Sequence, residues 1–262
     1  MNFKDKVVLI SGATGGMGEE IANKLALIGC KFALFARRED KLKKISDRLK
    51  KSGSECIYKK CDVKNPEDVK KAVECAFKTY GRIDVAILTA GILVPNPIQT
   101  FDSNIIKDSM EINFMGEVYF IEYLFKVMKP QKSGIIVGFS TLPDRRGVPG
   151  WGAYGASKSA LSWLLESLRA EAKQRYNISF VTVKPGSVLT PMIEGHERYG
   201  ATTAEKAAEC IISGIEKGKK IIQFPFKQVA VVRLMDMFPP FVYDRFDVEE
   251  MKLDGYPVVE EE

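Results

Sequence analysis

The sequence predicts an α/β fold, a doubly wound parallel sheet with helices on both faces. Three observations support this prediction. Short apolar, β-branched segments alternate with helical patterns along most of the chain, a glycine cluster separates the first segment from the first helical pattern, and no repeat or linker interrupts the series. The strands are expected to be parallel because intervening helices return the chain to the same edge of the sheet. We expect one domain over residues 1–224 and an extension over 225–262.

The expected strands are short apolar and β-branched runs, at residues 7–10, 31–36, 56–58, 84–88, 134–139, 178–184 and 220–224. Helical patterns lie between them, at 16–28, 39–51 and 102–128, on the segment that ends near 176, and before 217. A further helix starts at Asn65-Pro66-Glu67, where a cap, a proline and an acidic residue occupy preferred positions. Thr202 and Glu205 have the spacing of a capping box, which predicts another helix start.

The composition is that of a globular protein, with 262 residues, a net charge of +5 and 45% hydrophobic residues. Basic and acidic residues are mixed, so nucleic acid is not an expected partner. The five cysteines form no Cys-x-x-Cys pair and His196 is the single histidine, so neither a disulfide framework nor a metal site is expected. No signal peptide is evident, and no apolar run reaches the roughly 18 residues of a membrane span, which predicts a cytoplasmic protein.

A glycine-rich segment at 11–18, Ser-Gly-Ala-Thr-Gly-Gly-Met-Gly, follows the first strand and opens the first helix. Gly12, Gly16 and Gly18 let the backbone turn tightly and approach a pyrophosphate, while the helix N-terminus supplies free N–H groups and a positive dipole end. A turn used only for packing is the alternative. The order strand, turn, helix favours a dinucleotide-binding loop.

The residues after the second and third strands indicate which dinucleotide binds. An acidic residue after the second strand would bind the ribose 2′-hydroxyl of NAD, but Ala36 is followed there by Arg37 and Arg38. Guanidinium groups suit a 2′-phosphate, so NADP(H) is favoured over NAD. Asp62-Val63, after the third strand, is a candidate for the adenine edge, although an aspartate there is more often a turn or cap residue.

Tyr154 and Lys158 are four residues apart and therefore share one face of a helix. A phenol has a pKa near ~10, and a neighbouring ammonium favours the phenolate and is expected to lower that pKa. The pair is a candidate proton donor to a carbonyl, or acceptor from an alcohol. Alone it is weak evidence, because chance pairs of this spacing are common on helix surfaces.

Together these features resemble the classical short-chain dehydrogenase/reductase family over about residues 4–224. The resemblance implies a Rossmann-type sheet of seven strands and hydride transfer between a nicotinamide and a carbonyl or alcohol. Segment 36–42 and the apolar tail are similar to the ketosphinganine-reductase-like branch, which implies a hydrophobic carbonyl substrate. The motifs that carry the resemblance are Gly12-x-x-x-Gly16-x-Gly18, Thr89-Ala90-Gly91, Asn113, Tyr154-x-x-x-Lys158 and Pro185-Gly186 with Thr190.

The resemblance also implies roles for single residues. Tyr154 is the expected general acid/base, Lys158 holds the nicotinamide ribose, and Asn113 anchors the water that relays protons to Lys158. Thr89 stands where the family usually has asparagine and keeps a polar side chain there. The expected dinucleotide site comprises Gly12, Thr14, Gly16, Met17, Gly18, Arg37, Arg38, Asp62, Val63, Thr89, Ala90, Gly91, Tyr154, Lys158, Pro185, Gly186, Val188 and Thr190.

The substrate-orienting hydroxyl departs from the family pattern. The family places a serine thirteen residues before the tyrosine, and a gapless match puts Thr141 there, with Ser140 beside it. Neighbouring strand residues point to opposite faces, so one of the two is expected to face the substrate. Thr141 is favoured, and Ser140 is the alternative if the strand end slips by one residue. Asp144-Arg145-Arg146, in the loop that follows, are expected to be solvated charges.

The segment between Thr190 and Thr203 is the expected substrate lid, with Met192 and Ile193 as apolar lining and His196 as a surface residue. The extension is apolar and aromatic, with an acidic frayed end at 249–262, and is expected to pack as a helical tail on the body or on another subunit. The family commonly pairs through the helices after Asn113 and around Tyr154, which implies a homodimer or homotetramer.

The sequence therefore predicts an NADP(H)-dependent oxidoreductase that reduces a small-molecule carbonyl, with no metal. Two alternatives remain open. One is a membrane-surface reductase of long-chain lipid ketones, for which the apolar tail is too short to span a bilayer but able to dip into its interface. The other is a dinucleotide-binding sensor or scaffold without turnover.

Overall fold

The computed structural model describes residues 1–193 and 200–245. Its strands are β1 (Val7–Ser11), β2 (Lys31–Ala36), β3 (Cys56–Lys60), β4 (Val85–Leu88), β5 (Gly134–Phe139), β6 (Ile178–Pro185), β7 (Val188–Leu189), β8 (Thr202–Thr203) and β9 (Ile221–Phe224). Seven of them form a parallel sheet in the order β3-β2-β1-β4-β5-β6-β9, and β7 pairs with β8 in a separate ribbon. The strand order reverses between β1 and β4, so a ligand crevice is expected beyond their carboxyl ends.

The helices cover both faces of this sheet. They are α1 (Gly16–Ala26), α2 (Glu39–Lys51), α3 (Pro66–Tyr80), α4 (Ser103–Met110), α5 (Gly116–Gln131), α6 (Gly152–Tyr176), α7 (Ala204–Glu216), α8 (Phe226–Met235) and α9 (Pro240–Tyr243). A π-helical segment, Glu111–Met115, joins α4 to α5, and short 3-10 turns lie at Ile98–Thr100 and Pro191–Ile193.

Alternate strand residues build two apolar layers. Ile10 and Leu34 belong to the layer that contains the buried faces of α1, α2 and α7. Leu9 and Phe35, their neighbours along the strands, belong to the opposite layer with α3, α5 and α6. Both faces of the strands are buried because helices lie on both sides, as a parallel sheet requires. The prediction of a doubly wound, seven-stranded Rossmann-type sheet is confirmed.

Helices were expected over 102–128, and the structure has α4 and α5 there, joined by the π-helical segment around Asn113. One local prediction was wrong. The helix cap falls on Thr203 rather than Thr202: the Thr203 hydroxyl accepts from the Lys206 N–H at 3.2 Å. The N–H of Thr202 instead donates to the Ser187 carbonyl, which keeps that residue in the β7–β8 ribbon.

The extension after β9 is helical as far as the structure describes it. The first turn of α8 follows β9 directly, and the large apolar side chains of Phe226, Leu234 and Met237 are exposed. None of the helices in the described ranges is long and apolar enough to cross a membrane. The acidic end at 249–262, like the lid residues 194–199 with His196, lies outside the described residues.

Candidate active site

The glycine loop between β1 and α1 packs directly on the loop after β4. Gly12 has a φ of +70°, and a Cβ there would lie 2.6 Å from the backbone nitrogen of Ala90. The Thr89 hydroxyl donates to the carbonyl of Ser11 at 2.8 Å and lies 2.8 Å from where a Cβ of Gly18 would be. Glycine is therefore required at these positions by close backbone approach and by the left-handed conformation. Thr89, in place of the family's asparagine, braces the loop.

The same loop meets the segment that follows β6. A Cβ at Gly16 would lie 2.7 Å from Cγ2 of Thr190. The absence of a side chain at Gly16 therefore allows the glycine loop and the segment after β6 to pack closely. Gly15 precedes α1 without any side-chain cap, so the first N–H groups of the helix are not bonded by a capping side chain. Met17 packs at the edge of the core behind the loop. The space and the free N–H donors fit a pyrophosphate.

The arginines after β2 flank this loop. Arg38 donates from Nη2 to the Thr14 carbonyl at 2.7 Å and to the Thr14 hydroxyl at 3.1 Å. Arg37 is exposed, and the described residues give it no ion pair. Lys60 is also exposed and pairs in register with Ala36, so a third cation, missed in the sequence analysis, lies at the same sheet edge. The result is a cluster of positive charge beside the glycine loop.

The residues after β3 are held by local contacts. Asp62 accepts from the N–H of Lys64 at 3.0 Å, which is the turn role that the sequence analysis kept as the alternative. The Val63 side chain is buried, and a Cβ at Gly116 would lie 2.8 Å from its Cγ2. The Val63 side chain is therefore turned into the protein, while the partly exposed carboxylate of Asp62 keeps its second oxygen outside this turn.

Tyr154, Lys158 and Thr141 come together at the carboxyl end of β5. Lys158 is buried, Tyr154 lies one turn before it on α6, and the Thr141 hydroxyl is close enough to the phenol to favour its charged form. Burial raises the pKa of Tyr154 to about 12, the Thr141 hydroxyl acts to lower it, and the negative charge of Glu117 acts to raise it. The net shift in the pKa of Tyr154 is upward, opposite to the lowering expected from Lys158, because the cost of burying a phenolate is the largest effect on this group.

Ser140 takes a different direction from Thr141. Its hydroxyl donates to the Lys158 carbonyl at 2.9 Å and lies 2.7 Å from the Ser162 hydroxyl oxygen. Ser140 thus fastens the strand end to α6, whereas Thr141 faces the phenol. The alternation of side chains at the strand end separates the two hydroxyls as expected.

Asn113 lies in the π-helical segment and is fully buried. Its Oδ1 accepts from the Ile92 N–H at 2.7 Å, while Nδ2 donates to the Ile92 carbonyl at 3.0 Å and to the Ser157 hydroxyl at 3.1 Å. The side chain therefore joins the loop after β4 to α6, directly beside Lys158. Both side-chain N–H groups of Asn113 are used in these contacts, so neither is left to hold a water molecule. A water relay at Asn113 stays a prediction.

The loop after β6 lies between the sheet and the extension. The Gly186 N–H donates to the Phe224 carbonyl at 2.8 Å, which holds the Pro185-Gly186 turn against β9. Val188 is buried in the β7–β8 ribbon, and Thr190 is in reach of the glycine loop. The loops after β1, β4 and β6 thus meet at the carboxyl edge of the sheet, through the close approaches of Gly12 to Ala90 and of Gly16 to Thr190.

The matched family model, described as short chain dehydrogenase, covers residues 6–198 of this chain. The chain belongs to the short-chain dehydrogenase/reductase family. This confirms the resemblance drawn from the motifs, and with it an oxidoreductase that binds a nicotinamide dinucleotide and acts on CH–OH or C=O groups.

Relatives and solved structures agree with this assignment. An uncharacterised oxidoreductase of Listeria innocua is 38% identical over 74% of this chain and 79% of its own. The 11-beta-hydroxysteroid dehydrogenase-like protein 3 of Arabidopsis thaliana is 34% identical over 86% of this chain and 74% of its own. A short-chain dehydrogenase/reductase from Burkholderia phymatum, solved in complex with NAD, superimposes with a TM-score of 0.85 over 97% of this chain and 100% of its own, at 22% identity.

Two buried carboxylates near Lys158 were not expected from the sequence. Asp144 is buried rather than solvated: it accepts from the Ser162 hydroxyl at 2.6 Å and is paired with Lys184. Glu117, on α5, is buried with its Oε1 3.7 Å from Nζ of Lys158. A signal existed for Glu117, because it is a charge on the otherwise apolar face that α5 turns inward.

Proposed function

We propose that this protein is an NADP(H)-dependent carbonyl reductase in which Tyr154 donates the proton. The observation that carries the proposal is the phenol of Tyr154, one helical turn from buried Lys158 and beside the Thr141 hydroxyl. The nicotinamide supplies hydride when it is bound. The start of α1 behind the glycine loop has no capping side chain, so its first N–H groups are available to bind the pyrophosphate.

The protonation state of Tyr154 favours reduction over oxidation. With a pKa of about 12, the phenol keeps its proton at neutral pH and is ready to donate it to the oxygen of a carbonyl. The Thr141 hydroxyl, which already contacts the phenol, is placed to hydrogen-bond the same substrate oxygen. Lys158 binds the ribose in this proposal, and Asn113 holds the loop and helix that surround it.

NADP(H) is proposed over NAD on the strength of the positive charge beside the glycine loop. Arg38 is fixed by Thr14, while Arg37 is exposed and available for a 2′-phosphate. The Burkholderia structure contains NAD, but at 22% identity it is a guide to the fold alone. A fluorescence titration of NADPH against NADH decides the point on wild type, Arg37→Ala and Arg48→Ala, the last being a control arginine on α2, the helix that follows Arg37.

Tighter NADPH binding that weakens in Arg37→Ala but not in Arg48→Ala supports the proposal. Equal or tighter NADH binding by wild type overturns the cofactor preference. Tyr154→Phe separates an enzyme from a non-catalytic sensor, since an enzyme loses ketone reduction while it keeps cofactor affinity. A wild type that binds cofactor and reduces no ketone or aldehyde favours the sensor.

An apolar ketone is the proposed substrate class. The names of the Arabidopsis relatives refer to hydroxysteroid dehydrogenases. The described part of the lid offers the exposed apolar side chain of Met192, and Leu189 is exposed beside it at the end of β7. Steroid and long-chain ketones are therefore the first substrates to test with NADPH.

A membrane-surface location is a second candidate, favoured by the exposed apolar side chains of the extension. These are Phe226, Val231, Leu234, Met237 and Phe241. Co-sedimentation with liposomes that is lost in a Phe226→Ser/Leu234→Ser variant supports it, and wild type that stays in the supernatant contradicts it.

Pairing as a homodimer or homotetramer through α5 and α6 is also proposed, because Trp163 is exposed on α6. Light scattering measures the assembly directly.

A further inference from the structure

Glu117 lies where a carboxylate is costly. On α5 it is surrounded in sequence by buried Gly116, Phe120, Ile121 and Leu124, and its own side chain is 2% exposed. A charge is retained at such a position only with a compensating partner. The proposed reaction as described above assigns no task to this carboxylate.

The partner is the lysine of the Tyr154–Lys158 pair. Oε1 of Glu117 lies 3.7 Å from Nζ of Lys158, and the same oxygen accepts a hydrogen bond from the Phe139 N–H at 3.4 Å. The Lys158 side chain is 5% exposed. Oε2 has no hydrogen-bond partner among the described residues. Both charges are therefore shielded from water and face each other.

The strand behind Glu117 leaves room for its carboxylate. A Cβ at Gly138 of β5 would lie 2.7 Å from Oε2 of Glu117 and 2.5 Å from Cδ1 of Leu165. No side chain larger than glycine fits at that position without displacing one of these groups. The sheet, the helix and the lysine thus form a closed niche around one carboxylate.

We infer that Glu117 is a positioning residue for Lys158, its carboxylate being the counter-charge that keeps the lysine protonated in a dry site. This inference rests on the proposed function, because it assumes that the Lys158 ammonium holds the cofactor ribose. Glu117 acts on the reaction through Lys158 and touches neither substrate nor cofactor.

The titration behaviour of the group fits this role. Burial lowers the pKa of Lys158, while the charge and the hydrogen bond of Glu117 raise it. Burial also raises the pKa of Glu117 to about 8, so its negative charge develops in the alkaline range, where an unaided buried lysine loses its proton. The titratable groups that interact with Glu117 are Lys158 and Tyr154, both on α6. From β5, Glu117 receives only the hydrogen bond of a main-chain N–H, and the buried face of α3 that packs against α5 is apolar.

The test compares Glu117→Gln with wild type, using NADPH as the probe. Affinity is measured by fluorescence, and ketone reduction as kcat/KM, from neutral to alkaline pH. Near neutrality, the Glu117→Gln variant is expected to match wild type. At alkaline pH, both proteins lose NADPH affinity and kcat/KM, and the variant is expected to do so at a pH about one unit lower than wild type. At a fixed alkaline pH this shift is about a tenfold difference between the two proteins. Glu117→Asp, which keeps the charge, is expected to fall between them.

Asp84→Asn is the matched control, since Asp84 is a buried carboxylate bonded to Arg82 and to the Val7 N–H, away from the crevice. It is expected to keep the wild-type pH profile. Superimposable pH profiles of wild type and Glu117→Gln overturn the inference, even if activity falls uniformly. A wild type that binds NADPH without reducing ketones overturns the proposed function, and the pH dependence of binding still decides the role of Glu117.

Discussion

Gln228 of α8 accepts a hydrogen bond from the main-chain N–H of Ser187 at 2.8 Å, which ties the C-terminal extension to the loop that follows β6. A Cβ at Gly186 would collide with the same Gln228 oxygen, so the loop and the side chain are closely fitted. Arg233 of α8 approaches Asp144 at 3.8 Å, on the other side of the crevice. The extension therefore contacts both loops that frame the site.

Replacing Gln228 by alanine is expected to weaken NADPH binding. The Ser187 N–H loses its acceptor, and a lost hydrogen bond of this kind costs ~0.5–1.5 kcal/mol, which is about two- to tenfold in affinity. Fluorescence titration measures the change. Lys227→Ala, an exposed neighbour on α8, is the control. Equal affinities of the two variants would show that the contact does not order the loop.

Asp144→Ala is expected to destabilise the whole protein. The change leaves Lys184 buried without its counter-ion and removes the acceptor of the Ser162 hydroxyl. Breaking a buried ion pair from one side costs ~3–5 kcal/mol. Urea unfolding gives the free energy of unfolding. Glu122→Ala, from an exposed pair with Lys126, serves as control and is expected to cost ~0–1 kcal/mol. A similar small loss in both variants contradicts the prediction.

Gly12→Ala is expected to abolish cofactor binding, because the new methyl group would displace the backbone at Ala90. Gly53 has a φ of +90° and open space around it, so Gly53→Ala adds backbone strain without a collision. That control is expected to lose ~1 kcal/mol of stability and to bind cofactor normally. The prediction fails if Gly12→Ala retains wild-type affinity for both NADPH and NADH.

Stability is expected to depend on pH through Glu117. Its pKa is about 8 in the folded chain and 4.5 as the ordinary value, so the folded state binds more protons between these limits. The stabilising contribution is fully present below pH 4.5 and is lost as the pH rises through 8. The Tm of wild type minus that of Glu117→Gln should therefore fall across this interval. A constant difference would mean that Glu117 has an ordinary pKa in the folded protein.

Much of the fold and of the dinucleotide site followed from local sequence. The strands and the glycine loop are recognisable because neighbours along the chain define them: an apolar run, a turn that needs glycine, a helix start. Tyr154 and Lys158 are four residues apart on one helix, so their shared face was also a local property. The cap at Thr203 was misplaced by one residue because the β7–β8 pairing, a contact with Val188, keeps Thr202 extended.

What the sequence determined by itself is the order of strands and helices, the family and the residue types around the crevice. The tertiary structure decided which groups face one another: Thr141 rather than Ser140 contacts the phenol, Asp144 is buried against Lys184, and Glu117 reaches Lys158. The physical reason is that the charge state and direction of a side chain depend on burial and on partners far away in the chain. Those two quantities exist only once α5, β5 and α6 have packed together.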